Sequence, residues 1–169
     1  MKSAGSRSAC RKYRVVITDS DYTNSVVEEN VLREIGANVC LFQCRTGEEV
    51  ARVSREADAL INNLAPIPAS AIVAMKNVRI IAKYSVGFDN IDLEAATRRR
   101  IFVSHLPSVN KIEVAEHTLS LMLASVRRLP DAFLGAKKGR WNWEVLQPIS
   151  RFTELIVGVI GFGSIGREV

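Results

Sequence analysis

Cysteine is scarce in this chain: three residues in 169, Cys10, Cys40 and Cys44. An odd count with no export signal ahead of it leaves no disulfide framework and points to a reducing, cytoplasmic compartment. Histidine is scarcer, with His105 and His117 alone. Cys40 and Cys44 have no neighbouring Cys or His to complete a set of four, so no metal site is expected. They fall on one face of a strand-like run, which favours packing. Long hydrophobic runs are missing too. The most apolar stretch, near Leu119–Val126, is flanked by Glu116 and by Arg127 and Arg128, and none approaches the roughly 18–20 apolar residues of a membrane span. Acids are absent from the first 14 residues, where Lys2, Arg7, Arg11, Lys12 and Arg14 supply five of the 23 basic side chains. That leaves 18 bases against 18 acids in the rest. The net charge of +5 therefore belongs to a Ser-rich tail. A body without net charge excludes the basic stripe of a nucleic-acid binder, so no nucleic-acid or membrane partner is expected.

What is present is an alternation of short β-branched runs with helical stretches. Tyr13–Thr18, Asn38–Gln43, Ala57–Asn62, Arg79–Tyr84 and Ile101–Ser104 read as strands. Between them, Ser25–Ile35 is helical, with Val27, Val31 and Ile35 on one stripe and Gly36 as a stop signal. Glu48–Arg55, Ala69–Met75 and a helix capped by Asp92 and running from Glu94 to Arg100 follow. This order predicts right-handed βαβ units in a doubly wound parallel sheet.

Lys111–Leu129 then reads as one long helix whose apolar stripe holds Ile112, Ala115, Leu119, Met122, Val126 and Leu129. Leu121 and Leu123 widen it, so burial on more than one side is expected, as a connector between lobes, a subunit interface or plain core. Asp131–Arg151 is polar and aperiodic. Leu155–Ile160 is a continuous apolar run, the pattern of a strand buried on both faces.

Two segments carry chemistry. Gly161-Phe162-Gly163-Ser164-Ile165-Gly166 directly follows the apolar run, as a dinucleotide fingerprint requires. Gly161 suits the tight turn, Gly163 a close approach of backbone to pyrophosphate, and Gly166 close helix–strand packing. A glycine-rich loop without ligand is the plainer alternative. The second segment, Lys83–Asp92, leaves the end of the fourth strand, where open α/β sheets bind ligands. There Gly87 would let successive N–H groups converge on an anion such as a substrate carboxylate. The alternative is a turn in which Asp89 and Asn90 satisfy backbone donors and Asp92 caps the helix. Lys83 adds charge at the site or is a solvated strand-end residue.

Lys83–Asp92, Pro107–Asn110 with Val114–His117, Gly139–Trp141 and Gly161–Gly166, in this order and spacing, resemble the D-isomer-specific 2-hydroxyacid dehydrogenases. The branch with D-3-phosphoglycerate dehydrogenases, glyoxylate reductases and C-terminal-binding proteins is the nearest in flavour, over about Tyr13–Val169. The resemblance implies a flavodoxin-like, doubly wound α/β substrate lobe at 13–108 after a disordered tail at 1–12. The start of a Rossmann lobe for NAD, with NADP still open, follows at 109–169. It implies a homodimer for the full-length protein and a small 2-hydroxy or 2-keto acid as substrate. Backbone N–H groups of Val86 and Gly87 would hold the substrate carboxylate, with Lys83 and Asn110 near it. Gly161, Gly163, Ser164, Ile165 and Gly166 would hold the cofactor.

The sequence departs from the pattern at Ser85, where many members have Gly, and at Glu154-Leu155, where Gly-Lys often precedes the nucleotide strand. The family's catalytic Arg and Glu–His pair match nothing here and are expected beyond Val169. His105 and His117 are expected to be structural. The chain therefore reads as the front portion of an oxidoreductase, inert by itself. A non-catalytic, NAD-binding corepressor-like module and the inactive product of a truncated gene are the alternatives.

Overall fold

The computed structural model describes residues 13–169, and the expected disordered tail at 1–12 lies outside the described residues. They divide into two compact units, one reaching to Pro107 and the other running Ser108–Val169.

The first unit is a five-stranded parallel sheet of order β2-β1-β3-β4-β5. Its strands are β1 (Arg14–Ile17), β2 (Asn38–Leu41), β3 (Ala59–Asn62), β4 (Ile80–Lys83) and β5 (Phe102–Ser104). The helices are α1 (Val26–Arg33), α2 (Gly47–Ser54), α3 (Ala69–Ala74) and α4 (Leu93–Arg98). The doubly wound sheet expected from the alternation is therefore present; each strand is one or more residues shorter than expected, and α2 is shifted by one residue toward its start. The turn from a leftward β1–β2 step to rightward steps beyond β1 puts α1 on one face and α2, α3 and α4 on the other, because each crossover is right-handed. The core lies under α2–α4: Val16, Val50, Leu60, Ile67, Ile72 and Ile81 are completely buried. Truncating any of the larger ones would cost about 2–5 kcal/mol.

Local chemistry fixes the helix ends. Thr46 Oγ1 accepts from Glu49 N while Glu49 reaches back to the Thr46 N–H, a capping box that opens α2. Asp92 caps α4 by accepting from Ala95 N at 2.8 Å. Gly36, in the left-handed region at φ 69°, turns the chain out of α1. The stripe on α1 is a surprise: Val27, Val31 and Ile35 stay exposed and the helix has no buried residue. Cys44 is buried but lies past the end of β2, and Cys40 is half-buried within it; both are free thiols. Burial pushes the Cys44 thiol up, with Glu49 and Asp19 adding to the shift.

The second unit corrects three expectations. The long helix is two: α5 (Lys111–Val126) and α6 (Leu129–Lys137), broken where Arg128 adopts a left-handed backbone at φ 51°. Pro130 lacks an N–H and cannot continue α5, but in a first turn that donor is not needed, so a new helix starts there. The segment expected to be aperiodic from Asp131 is therefore helical to Lys137. Second, α5 is buried at Ala115, while Ile112, Leu121 and Leu123 are exposed, so burial on several sides is not seen. Third, Leu155–Ile160 forms no strand, and Ile156 and Ile160 are fully exposed. A strand needs a partner edge for its backbone groups, and all five described strands belong to the first unit. No described helix is long and apolar enough to cross a membrane.

Candidate functional site

The carboxyl ends of β1, β3 and β4 are joined by a buried polar network. Asp19, two residues past β1, turns its carboxylate onto the loop after β3. Oδ1 accepts from Thr18 Oγ1 at 2.7 Å and Asn63 N at 3.1 Å, and Oδ2 from Leu64 N at 2.6 Å and Ala65 N at 3.0 Å. Asn62, at the end of β3 and fully buried, donates to Thr18 Oγ1 at 2.8 Å and to the Ala65 carbonyl at 3.0 Å. Lys83, at the end of β4 and 5% exposed, donates to Asn62 Oδ1 at 3.0 Å, Asn90 Oδ1 at 2.7 Å and the Asn63 carbonyl. Asn90 closes the circuit through Asn62 Oδ1 at 3.0 Å and the Ala65 carbonyl at 2.8 Å.

Lys83 is thus neither solvated nor presented to a ligand. Its three acceptors are neutral amide oxygens, so the ammonium charge sits under the following loop without a carboxylate in direct contact. Burial pulls its pKa down, against the smaller opposing pull of Asp19 and Asp89. The sheet reverses its order between β1 and β3, the place where this kind of fold leaves a ligand crevice. Here a cavity of about 360 Å³ is lined by Asp19, Asp21, Gln43, Arg45 and Leu64.

The loop Ser85–Asn90 rests on this base. Several of its carbonyls are engaged: Ser85 O by Leu106 N at 3.2 Å, Gly87 O by Ser85 Oγ at 3.2 Å, and Phe88 O by Ile91 N at 3.0 Å. Val86 O takes the Nδ1 proton of His105 at 2.8 Å, and the His105 ring meets Phe88 edge-on with centroids 5.0 Å apart. A carbonyl can only accept, so this contact fixes the His105 tautomer. The N–H groups of Val86 and Gly87, by contrast, have no partner among the described residues. Val86 and Gly87 thus carry two adjacent free donors on a loop whose far end, at Asn90, is held by the buried Lys83. Gly87 does not lie in the left-handed region, and a Cβ there would meet Asp89 Oδ2 at an ordinary 3.6 Å. Its value is the open approach it leaves rather than its conformational freedom.

Tyr84 Oη donates to Glu28 Oε1 at 2.6 Å, tying α1 to the end of β4. Burial and the Glu28 carboxylate both raise the Tyr84 pKa. Asp19, Asn62, Asn63 and Glu28 went unread in the sequence. Each is a polar residue in or near a strand end or helix start, and only the strand order brings them together.

The second unit holds the other candidates. Asn110 is the N-terminal cap residue of α5, exposed and with no side-chain cap bond. His117 lies exposed within α5. Gly161 adopts φ 93°, a conformation that favours glycine. At Gly166 a Cβ would fall 2.1 Å from the Gly161 carbonyl oxygen, a position closed to any other residue. Gly163 has nothing within 4 Å of the place a Cβ would take. Ser164 and Ile165 lie in the turn that follows, where Arg167 N bonds back to Gly163 O at 3.2 Å. The three glycines thus give a bend at Gly161, open space at Gly163 and a close return of the chain at Gly166. No cluster among the described residues could hold a metal ion.

The profile of the D-isomer specific 2-hydroxyacid dehydrogenase catalytic domain matches residues 14–163. The chain is 32% identical over 157 residues to a D-3-phosphoglycerate dehydrogenase of Methanocaldococcus jannaschii, covering 92% of this chain and 29% of that protein. It is 35% identical over 123 residues to a hydroxypyruvate reductase of Thermotoga maritima, covering 72% and 40%. Among solved structures, NAD+-bound 3-phosphoglycerate dehydrogenase of Entamoeba histolytica superposes with a TM-score of 0.61 at 28% identity, over 69% of this chain and 40% of that one. The chain thus spans well under half the length of these relatives.

Proposed function

The chain belongs to the D-isomer-specific 2-hydroxyacid dehydrogenase family, and from that premise we propose that its two units bind the two reactants of a 2-hydroxyacid oxidoreductase. The first unit seats the substrate carboxylate on the N–H groups of Val86 and Gly87. The pair of free amides, on a loop where the carbonyls of Ser85, Val86, Gly87 and Phe88 are already engaged, is the observation that carries this reading. Lys83 positions the loop from below and lends it positive potential. His105 holds the Val86 carbonyl and so aims the amides outward, a structural task. Asn110 contributes from the head of α5.

Gly161, Gly163, Ser164, Ile165 and Gly166 hold the pyrophosphate of NAD, or of NADP. The bound nicotinamide supplies hydride acceptance and donation at C2 of the acid. What this chain's residues do is bind, orient and exclude water. A general acid–base group is worth about 10²–10⁴-fold in rate, and none of the described side chains stands in the family's Arg, Glu or His role. Residues 1–169 alone are therefore inert toward 2-hydroxy acids. The longer protein works as a homodimer in the cytoplasm, a setting that fits the free thiols Cys40 and Cys44.

The test is titration of the ¹⁵N-labelled chain with oxamate and glyoxylate. The amide signals of Val86 and Gly87 should move first and most. Absence of any change at these two amides, at concentrations that shift others, would remove the carboxylate seat. Measurable glyoxylate reduction by the pure chain with NADH or NADPH would remove the claim of inertness.

A further inference from the structure

One buried cation, Lys83, holds the far end of the Ser85–Asn90 loop, and the exposed carboxylates around the free amides are Asp21 and Asp89. Asp89 Oδ2 lies 3.6 Å from the place a Cβ would take on Gly87. Asp21 is fixed beside the end of β3, where its Oδ2 accepts from Asn63 Nδ2 at 2.9 Å. Both acids are exposed. Because all five strands run the same way, bases at strand starts and helix carboxyl ends, such as Arg52, Arg79 and Arg99, collect at the opposite pole. Among the described residues of the first unit, Lys83 and Arg45 are the lysine and arginine at the carboxyl ends of the strands.

Neither serves a second anionic group. Lys83 is buried, and its three acceptors use the three protons of its ammonium. Arg45 leaves β2, which is three strands from β4, about 14 Å across the sheet at the usual strand spacing. It also shares its cavity with Asp19 and Asp21, two carboxylates against one guanidinium. His105 spends Nδ1 on the Val86 carbonyl. What the neighbouring loops offer instead is apolar surface. Leu64, 70% exposed, stands two residues past Asn62, whose partner in the sheet register is Lys83. Tyr22, 68% exposed, meets the Tyr84 ring edge-on with centroids 6.2 Å apart.

Resting on the reading of Val86 and Gly87 as a carboxylate seat, we propose that the site selects 2-oxo acids with a single negative charge and an apolar substituent, which lies against Leu64 and Tyr22. A lone carboxylate gains two amide donors in direct contact. A second carboxylate or a phosphate a few bonds further on finds no cation on these loops and has Asp21 and Asp89 for neighbours. Like charges at such range repel, and more strongly where water is displaced. An alkyl group in the same place leaves water for the side chain of Leu64. Asp21 and Leu64 are thus specificity residues, the first rejecting and the second attracting.

The test is titration of the ¹⁵N-labelled 169-residue chain at low salt, read at the Val86 and Gly87 amides. The probes are 2-oxopentanoate and 2-oxoglutarate, equal in chain length and different by one charge, and phosphohydroxypyruvate. Binding of 2-oxopentanoate should be more than about tenfold tighter than that of either more highly charged acid. The gap should shrink as salt screens the carboxylates. Asp21→Asn, which keeps an oxygen for Asn63, should narrow the gap about threefold or more and leave 2-oxopentanoate affinity within about twofold. Leu64→Arg should reverse the preference. If the two amides respond to 2-oxoglutarate or phosphohydroxypyruvate as readily as to 2-oxopentanoate, the seat stands and the selectivity is wrong. A gap left unchanged by both substitutions would equally overturn the roles of Asp21 and Leu64. If none of the three acids moves these amides, the seat falls and this inference with it.

Discussion

Two apolar runs in this chain look alike as sequence and fare differently as structure. Val15-Val16-Ile17 in the first unit is buried to 4% exposure or less, with parallel neighbours on both sides. Leu155–Ile160 in the second is longer, yet Ile156 and Ile160 are fully exposed and no strand forms. The difference lies in their partners. β1 meets β2 and β3 edge to edge, and those strands arrive with helices that cover one face of the sheet. A run without an edge to pair with keeps its backbone groups for water, whatever its hydropathy. Stability in this chain is therefore concentrated in residues up to Pro107.

The largest effect should come from cutting into the first unit's core. Leu60→Ala should cost about 3–4 kcal/mol in urea unfolding, whereas Ile160→Ala should change stability by less than about 0.5 kcal/mol. Comparable losses would mean that the run in the second unit is packed. Next in size, Asp19→Ala leaves the amides of Asn63, Leu64 and Ala65 without their acceptor and should cost about 3 kcal/mol. If Asp19 only decorates the surface, the urea midpoint will stay where it is.

Thr46→Ala, which breaks the capping box of α2, should cost about 1 kcal/mol. The same cap has a pH signature. The backbone N–H groups of Arg45 and Thr46 hold the Glu49 carboxyl below its usual 4.5. An acid with a lowered folded pKa stabilises above its unfolded value and loses that contribution as pH falls through the folded one. The parent should therefore lose stability below about pH 4.5, and Glu49→Gln should lose less over the same range. Equal slopes would remove the cap from the account. The smallest effect is a contrast in amide exchange: Val16 should exchange only on global unfolding and Val157 without protection. Protection at Val157 would erase the difference between the units.

Much of the fold was legible beforehand. Five β-branched runs separated by helices admit few arrangements once crossovers are right-handed, and Gly36 and Asp92 marked ends by local chemistry alone, whereas the Thr46–Glu49 capping box went unread. The fingerprint was equally legible, because the geometry that Gly161 and Gly166 supply is demanded within six residues. Less legible was the environment of each element. The stripe Val27, Val31 and Ile35 correctly named a helix and wrongly implied a buried face. Val126 to Leu129 kept helical spacing through a break that Arg128 and Pro130 impose on the backbone.

The candidate site divides in the same way. That a loop after the fourth strand could hold an anion followed from the residues at Lys83–Asp92 and from the rule for open sheets. The task of Lys83 did not follow, since its acceptors Asn62 and Asn63 lie some twenty positions back along the chain. Strand order likewise brings Asp19 to the β3 loop and Glu28 to Tyr84. By itself the sequence determined the elements of the first unit, the ends marked by Gly36 and Asp92, the glycine turn and the family, because each rests on interactions within a few residues or on the period of the chain. The tertiary structure decided which polar groups meet and which apolar runs find an edge. Those depend on which strands are neighbours, and neighbours in a parallel sheet are parted along the chain by a crossover helix.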